Sequence, residues 1–182
     1  MRLLLVVSAV LFACGEFTEK MIVQRGPGAL PEHFLKGKFT GIRLILDRAG
    51  NLRETARVLR TCESRDNLKG ECRDAIQYFY ATDPKKRNKT NVLSWSAEYR
   101  EGKRTRFQIR DSFGSLSGEA IGPVVVLSGQ KTIPHAPGKR AKTSARFYML
   151  PGHGSPISEI EIYKSWGMRV GEIRTLWTRG GH

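Results

Sequence analysis

The first fifteen residues constrain the chain most, because they indicate the compartment in which the rest must fold. Arg2 precedes an apolar run over residues 3–12, and the small residues Ala13 and Gly15 follow. A basic start, a short apolar stretch and a small-residue exit predict a secretory signal peptide. The run is about half as long as the roughly 20 apolar residues that span a bilayer, so no stable membrane span is expected. We therefore expect residues 1–15 to be removed and the remainder to be secreted.

Cys14 supports a second interpretation of the same segment. The tetrapeptide Leu11-Phe12-Ala13-Cys14 resembles a bacterial lipobox, in which the cysteine becomes a lipidated N-terminus. A bacterial lipoprotein is therefore kept as an alternative to a secreted protein.

Cys62 and Cys72 form the clear cysteine pair of the mature chain. An oxidising secretory route favours a disulfide between them. It would close a loop of about ten residues and stabilise the fold by roughly 2–3 kcal/mol. These thiols and four scattered histidines lack the spacing of metal ligands, so we expect no metal and no cofactor.

Local patterns predict a mixture of helix and strand. Asn51 is a suitable N-cap for a helix over residues 52–60, and residues 73–80 predict a second short helix. Alternating apolar residues around a turn at Glu101-Gly102-Lys103 predict a hairpin. Further strands are expected at residues 38–47, 124–127, 146–150, 157–163 and 168–177, the last two as a hairpin.

The fold class expected is therefore α+β and β-rich. We expect a small single domain with antiparallel hairpins behind two short helices and a loosely structured leader. The predicted division is a signal peptide over residues 1–15, a leader over 16–70 and a β-rich domain over 71–182. The expected core includes Trp95, Phe107, Val125, Phe147, Ile160 and Trp177.

The charge balance is strongly positive. Lysine and arginine total 31 against 17 acidic residues, which gives a formal net charge of +14. Such a field attracts nucleic acid, anionic membrane surfaces or acidic proteins. The net charge thus predicts the kind of partner and gives no information about the fold.

A tetrapeptide downstream of the predicted signal peptide carries a family resemblance. Arg57-Val58-Leu59-Arg60 fits the pattern R-x-L-R, and Glu63-Ser64-Arg65-Asp66 follows as a weak acidic-arginine tail. In these features the chain resembles the secreted RxLR effectors of oomycete plant pathogens. The resemblance implies export, entry into plant host cells with Arg57, Val58, Leu59 and Arg60 as the translocation motif, and suppression of host immunity or cell death by binding a host protein or nucleic acid. It implies no enzymatic chemistry.

A second basic motif agrees with action inside a host cell. Pro84-Lys85-Lys86-Arg87-Asn88-Lys89 resembles a monopartite nuclear localisation signal, because a compact lysine and arginine cluster opened by proline stays extended. Pro84, Lys85, Lys86, Arg87 and Lys89 would contact a host nuclear import receptor. We therefore expect secretion followed by residence in the host nucleus, and also in the host cytoplasm.

Asn88 gives the same segment another interpretation. Asn88-Lys89-Thr90 is an N-x-T sequon, which predicts glycosylation during secretion. A glycan at Asn88 would obstruct the basic cluster, so the two roles compete although both require exposure.

A secreted cationic ribonuclease-like toxin is the other class considered. Such enzymes use a glutamate base, a histidine acid and arginines that stabilise phosphate charge. The candidates here are Glu98, Arg110 or Arg106, and His153. The same basic and aromatic interleaving between residues 95 and 110 also suits a nucleic-acid-binding module.

Overall fold

A computed structural model describes residues 35–66, 68–82, 88–100, 104–122, 124–133, 136, 138–149 and 157–180. Over these residues the chain forms ten β-strands and no helix. The strands are β1 Gly37–Asp47, β2 Leu52–Asp66, β3 Lys69–Ala81, β4 Lys89–Arg100, β5 Arg104–Asp111, β6 Gly114–Ile121, β7 Val124–Thr132, β8 Arg140–Met149, β9 Ile157–Ser165 and β10 Met168–Arg179.

The strands close into a single antiparallel barrel. Each strand pairs with the next one in sequence, and β1 pairs with β10, so that Phe39 lies opposite Arg179 and Asp47 opposite Gly171. Closure leaves no unpaired sheet edge. At one end of the barrel, which we call the upper end, β1, β3, β5, β7 and β9 finish and the even-numbered strands begin; the opposite end is the lower end.

Alternation along the strands fills the interior with side chains. Successive residues of a strand point to opposite faces, so every second residue enters the barrel. Leu35, which precedes β1, is fully buried in the larger apolar cluster. That cluster also contains Phe39, Val58, Ile76, Trp95, Phe107, Leu127, Phe147, Ile157 and Trp177. A smaller cluster contains Ile45, Ile133, Ala141, Tyr163 and Ile173.

The disulfide predicted between Cys62 and Cys72 is confirmed. The two residues lie directly opposite each other on β2 and β3, and their sulfur atoms are 2.04 Å apart. Both cysteines are buried in the larger cluster, so the bond links two neighbouring strands from inside the barrel.

The expected α+β class with two helices is wrong. Residues 52–60 belong to β2, and residues 73–80 belong to β3. In both strands a charged side chain faces inward, Arg60 in β2 and Asp74 in β3, and apolar side chains such as Phe79 face outward. Because of this mixture, the alternation of polar and apolar residues that is typical of a strand is not evident, and the sequence pattern resembles that of an amphipathic helix.

The loosely structured leader is likewise not observed over its described part. β1 and β2 lie within residues 16–70 and pair along ten residue positions, from Gly37–Cys62 to Leu46–Leu52. Residues 1–34, which include the predicted signal peptide and Cys14, lie outside the described residues. Within the described part, no helix has the length and apolar character needed to cross a bilayer.

Other expectations on the fold are confirmed. The strand expected at residues 38–47 is β1, the hairpin around residues 101–103 is formed by β4 and β5, and the final hairpin is formed by β9 and β10. The expected core residues Trp95, Phe107, Val125, Phe147 and Trp177 are buried. Ile160 differs, because it is half-buried on the outward side of β9.

Candidate functional site

Charged side chains occupy the middle of the barrel. Along β9 the inward positions are Ile157, Glu159, Glu161 and Tyr163, so two carboxylates stand between the two apolar clusters. Removing charges from water is costly unless they are paired and hydrogen-bonded. A concentration of such groups in a cavity marks a candidate functional site.

Arg60 and Asp74 form the central ion pair. The Arg60 Nε and Nη2 atoms donate to the two Asp74 oxygens at 2.7 and 2.9 Å, and Arg43 Nη2 lies 3.7 Å from Asp74 Oδ2. Burial alone would raise the pKa of Asp74, but the charge and hydrogen bonds of Arg60 outweigh it and hold that pKa below its ordinary value. Asp74 is therefore ionised at neutral pH.

Trp177 connects this pair to Glu159. The Arg60 guanidinium carbon lies 4.3 Å from the centroid of the Trp177 ring, and Trp177 Nε1 donates to Glu159 Oε2 at 2.6 Å. Burial raises the pKa of the Glu159 carboxyl, with Arg60 opposing and the neighbouring Glu161 charge adding to the rise. Glu159 thus retains its proton at a higher pH than an exposed glutamate does.

Lys131 organises a second set of charges nearer the upper end. Its Nζ lies 2.9 Å from Glu161 Oε1 and 3.0 Å from Asp111 Oδ2, and the Tyr163 hydroxyl donates to Glu161 Oε2 at 2.6 Å. Burial raises the pKa of Glu161 on its own, but Lys131 and the Tyr163 hydrogen bond bring it below the ordinary value. Glu161 therefore stays ionised beside a charged lysine.

These groups line one cavity of about 50 Å³ in the upper half of the barrel. Its described lining includes five carboxylates, Glu54, Asp74, Asp111, Glu159 and Glu161, and three largely buried cations, Arg43, Arg60 and Lys131. Tyr78, Phe113 and the half-buried Lys89 also line it. At roughly 10–15 Å³ per water, the space accommodates about four waters or one small head group.

The described residues contain no group of three histidine, cysteine or acidic side chains able to hold a metal ion. The carboxylates of the cavity instead face arginine and lysine. Chemically, this arrangement can bind a polar group and exchange a proton with it.

The predicted translocation motif lies within β2. Val58 is fully buried and Arg60 belongs to the central ion pair, whereas Arg57 and Leu59 are exposed on the outer face. Half of the tetrapeptide is thus part of the barrel interior. Its role in delivery stays a prediction.

The predicted import and glycosylation residues lie at the β3–β4 connection. Pro84, Lys85, Lys86 and Arg87 are outside the described residues. Lys89 begins β4, and its Nζ lies 4.7 Å from the Phe113 ring centroid. Asn88 is exposed, and its Oδ1 accepts a hydrogen bond from the Tyr78 backbone N–H at 3.1 Å. Both roles stay predictions.

The ribonuclease candidates are not brought together over the described part of the chain. Glu98 and Arg110 are exposed on the outer face, and Glu98 lies opposite Arg106, whereas Arg110 lies opposite Ser94. Four residues along a strand separate these positions by roughly 13 Å. His153 lies outside the described residues.

Sequence reasoning missed the cavity. Its carboxylates come from β2, β3, β5 and β9, so no local spacing identifies them together. One available pattern was the alternation Glu159-Ile160-Glu161-Ile162, in which the sequence analysis placed Ile160 in the core. The two glutamates share one face of β9, and only the structure shows that this face points inward.

Comparison with known proteins adds evidence on the fold alone. No protein-family model and no curated protein sequence matches the chain. Among solved structures, the S-type phycobiliprotein lyase CPES from Guillardia theta has a similar fold, with a TM-score of 0.51. The match covers 90% of this chain and 98% of that chain at 11% sequence identity.

Proposed function

We propose that this chain is a ligand-binding β-barrel whose upper end takes up a small organic molecule with a cationic head group. The observation that carries the proposal is the excess of carboxylates in the cavity, five against three largely buried cations. When the half-buried Lys89 is counted as a fourth cation, the carboxylates still exceed the cations by one. When Glu159 is ionised, the cavity therefore has the opposite sign to the whole chain, whose formal net charge is +14.

Glu159 is the carboxyl that would hold the cationic head. Arg60 makes its two short hydrogen bonds to Asp74, whereas Glu159 accepts a short hydrogen bond from the neutral indole of Trp177. The raised pKa of Glu159 shows that its negative charge is poorly compensated in the free protein. A bound cation would compensate that charge and displace the proton.

The walls of the cavity suit an organic cation better than a hydrated metal ion. Phe147, Phe113 and Tyr78 line it beside the carboxylates, and aromatic faces attract cations. The volume of about 50 Å³ admits the head of such a molecule. The remainder would lie toward the upper end, where Phe113 and Lys89 stand.

Three probes of one shape and different charge test this proposal. Benzamidinium, benzamide and benzoate carry positive, neutral and negative charge on similar frames. We expect benzamidinium at about ten times its dissociation constant to stabilise the fold by about 1.4 kcal/mol. This corresponds to a rise in Tm of roughly 3–6 °C in a thermal unfolding experiment. Benzoate should give no rise.

The pH dependence and two matched variants make the test specific. Since a bound cation replaces the proton of Glu159, benzamidinium affinity should increase as pH rises through the raised pKa of that carboxyl. Glu159→Gln should abolish the Tm rise and its pH dependence. Glu98→Gln removes the same charge from the outer face and should leave the Tm rise and its pH dependence unchanged. Stabilisation by benzoate in place of benzamidinium would contradict the proposal.

Delivery of this barrel into host cells is a separate proposal about where it acts. It is supported by the predicted signal peptide and by the Arg57 to Arg60 tetrapeptide. Ligand binding inside the barrel depends on neither feature.

A further inference from the structure

The β9–β10 turn presents a bulky aromatic side chain in an unfavourable backbone conformation. Ser165 pairs with Met168, which leaves Trp166 and Gly167 as the two central residues, with φ of 51° and 79°. Positive φ at both positions is the geometry for which hairpins prefer Asn-Gly. A bulky residue there is an outlier, and Trp166 packs against nothing that explains it, since its side chain is 97% exposed.

This turn lies beyond the last residue pairs that join β9 to β8 and β10 to β1. The pairing of β10 with β1 ends at Gly171, and the pairing of β9 with β8 ends at Lys164. Beyond these pairs β9 and β10 continue as a two-stranded hairpin, and residues 165–168 at its turn are called the Trp166 tip. Met168 adds a second apolar side chain that is 52% exposed.

A row of cations crosses the outer face at the base of the tip. Lys142, Lys164 and Arg169 lie directly opposite one another on β8, β9 and β10, and all three are exposed. Like charges placed opposite each other destabilise a sheet. Arg169 contacts Glu172 at 2.8 Å, and Arg48 on the neighbouring β1–β2 turn places its Nη2 3.9 Å from Met168 Sδ.

We infer that the Trp166 tip docks the barrel on an anionic lipid bilayer. Tryptophan is favoured at the interface between headgroups and acyl chains, where its ring is buried and its N–H stays hydrated. Lysine and arginine beside it are attracted to the negative surface potential of such a membrane. The tip exposes two apolar side chains, Trp166 and Met168, whereas a standard protein interface buries about 800 Å² on each partner.

Vesicle co-sedimentation of the full chain tests the inference. The probes are mixed phosphatidylcholine–phosphatidylserine vesicles and pure phosphatidylcholine vesicles. We expect binding to the mixed vesicles, weakening with added salt, and little binding to the neutral ones. Trp166→Asn should lower the affinity about tenfold, because no aromatic ring inserts. The same variant should keep or raise the Tm, because asparagine suits positive φ.

Charge variants separate the local row from the general positive charge. Lys142→Ser with Lys164→Ser should weaken binding to the mixed vesicles by about tenfold or more. Lys36→Ser with Lys38→Ser removes equal charge near the lower end and should change affinity much less. Leu68→Ser removes an exposed apolar side chain from the lower β2–β3 turn and serves as the control for Trp166→Asn. All proteins share one N-terminus, so differences between them report on these positions.

Two results would overturn the inference. The first is absence of binding to the mixed vesicles. The second is equal binding by Trp166→Asn and the unaltered chain. If the first result comes with a loss of affinity for a single-stranded oligonucleotide in Trp166→Asn and in the variant with Lys142→Ser and Lys164→Ser, these residues are assigned to nucleic acid.

Discussion

The Arg60 guanidinium lies near two buried carboxyl groups whose pKa values are shifted in opposite directions. Asp74 has a lowered pKa because Arg60 binds it through two hydrogen bonds. Glu159 has a raised pKa because burial and the Glu161 charge oppose its ionisation more than Arg60 favours it. The same arginine thus stabilises one carboxylate strongly and leaves the other poorly compensated.

Replacing each carboxyl by its amide should therefore have different effects on folding. Asp74→Asn leaves Arg60 without its bidentate partner in the interior, and we expect a loss of about 3–5 kcal/mol at neutral pH. Glu159→Gln keeps an acceptor for Trp177 Nε1 and removes a costly charge, so we expect unchanged or increased stability at neutral pH. Urea denaturation followed by tryptophan fluorescence measures both changes.

The pH dependence has opposite sign for the two groups. The lowered pKa of Asp74 gives stability that is present above its unfolded-state pKa and is lost as pH falls through the folded-state value. The raised pKa of Glu159 gives stability that is present below its unfolded-state pKa and is lost as pH rises through the raised value. These opposite pH dependences would be contradicted if Asp74→Asn and Glu159→Gln changed the free energy of unfolding by equal amounts at every pH across this range.

At the scale of the strand, apolar and charged residues exchange their usual faces. On β9 the isoleucines at 160 and 162 are half-buried on the outside, and Glu159 and Glu161 face inward. The strand itself was predictable from alternation. Its orientation was not, because the rule that places apolar residues inside fails where the interior holds an ionic cavity.

The same reason explains the two helices that were wrongly expected. β2 and β3 carry Arg60 and Asp74 inside the barrel, and their pairing joins residues that are 14 positions apart. Sequence patterns can show a strand and a cysteine pair, as they did for β1 and for Cys62 with Cys72. They do not show which distant strands bring their charges together.

A glycine on β1 makes room for the indole of the candidate site. Gly41 lies opposite Trp177, and a Cβ built on it would come within 2.6 Å of Trp177 Cε3. Gly41→Ala should therefore displace this ring from Arg60 and cost about 1–3 kcal/mol of stability. Chemical denaturation measures the cost, and iodide quenching of tryptophan fluorescence in a Trp166→Asn background measures any gain in exposure of the buried rings.

Gly180→Ala is the matched control for this substitution. Its added carbon would come no closer than 3.4 Å to its nearest neighbour, the Lys38 backbone oxygen, so we expect a change below about 0.5 kcal/mol. Equal effects of the two alanines would show that Gly41 does not support the ring.

At the scale of the molecule, one closed sheet separates a carboxylate-rich cavity from a basic exterior. The positive net charge and the β-rich composition were evident from sequence. The closure of the sheet into a barrel was not evident, because it depends on the pairing of the first strand with the last. Composition also does not indicate on which side of the sheet each charged side chain lies.

Removal of β10 should abolish the fold. Ending the chain at Ser165 removes Met168–Arg179 and leaves β1 and β9 each with one unpaired edge, so the backbone groups of those edges and the interior face become exposed. We expect this fragment to lack the near-ultraviolet circular dichroism of the full chain and to aggregate. Ending the chain at Gly180 preserves every β10 pairing and should leave the spectrum unchanged. A soluble, structured fragment without β10 would contradict this expectation.

The pairing of β1 with β10 also sets the order of assembly in time. Thr178 Oγ1 donates to the Thr40 carbonyl oxygen across 138 residues of sequence, and Gly180 N donates to the Lys38 oxygen at 2.8 Å. Contacts between such distant residues form slowly, because the chain must first close a long loop. During synthesis, the edge of β1 that faces β10 therefore stays unpaired until β10 has left the ribosome. Arg60 and the carboxyl groups around it lose contact with bulk water only at that last step.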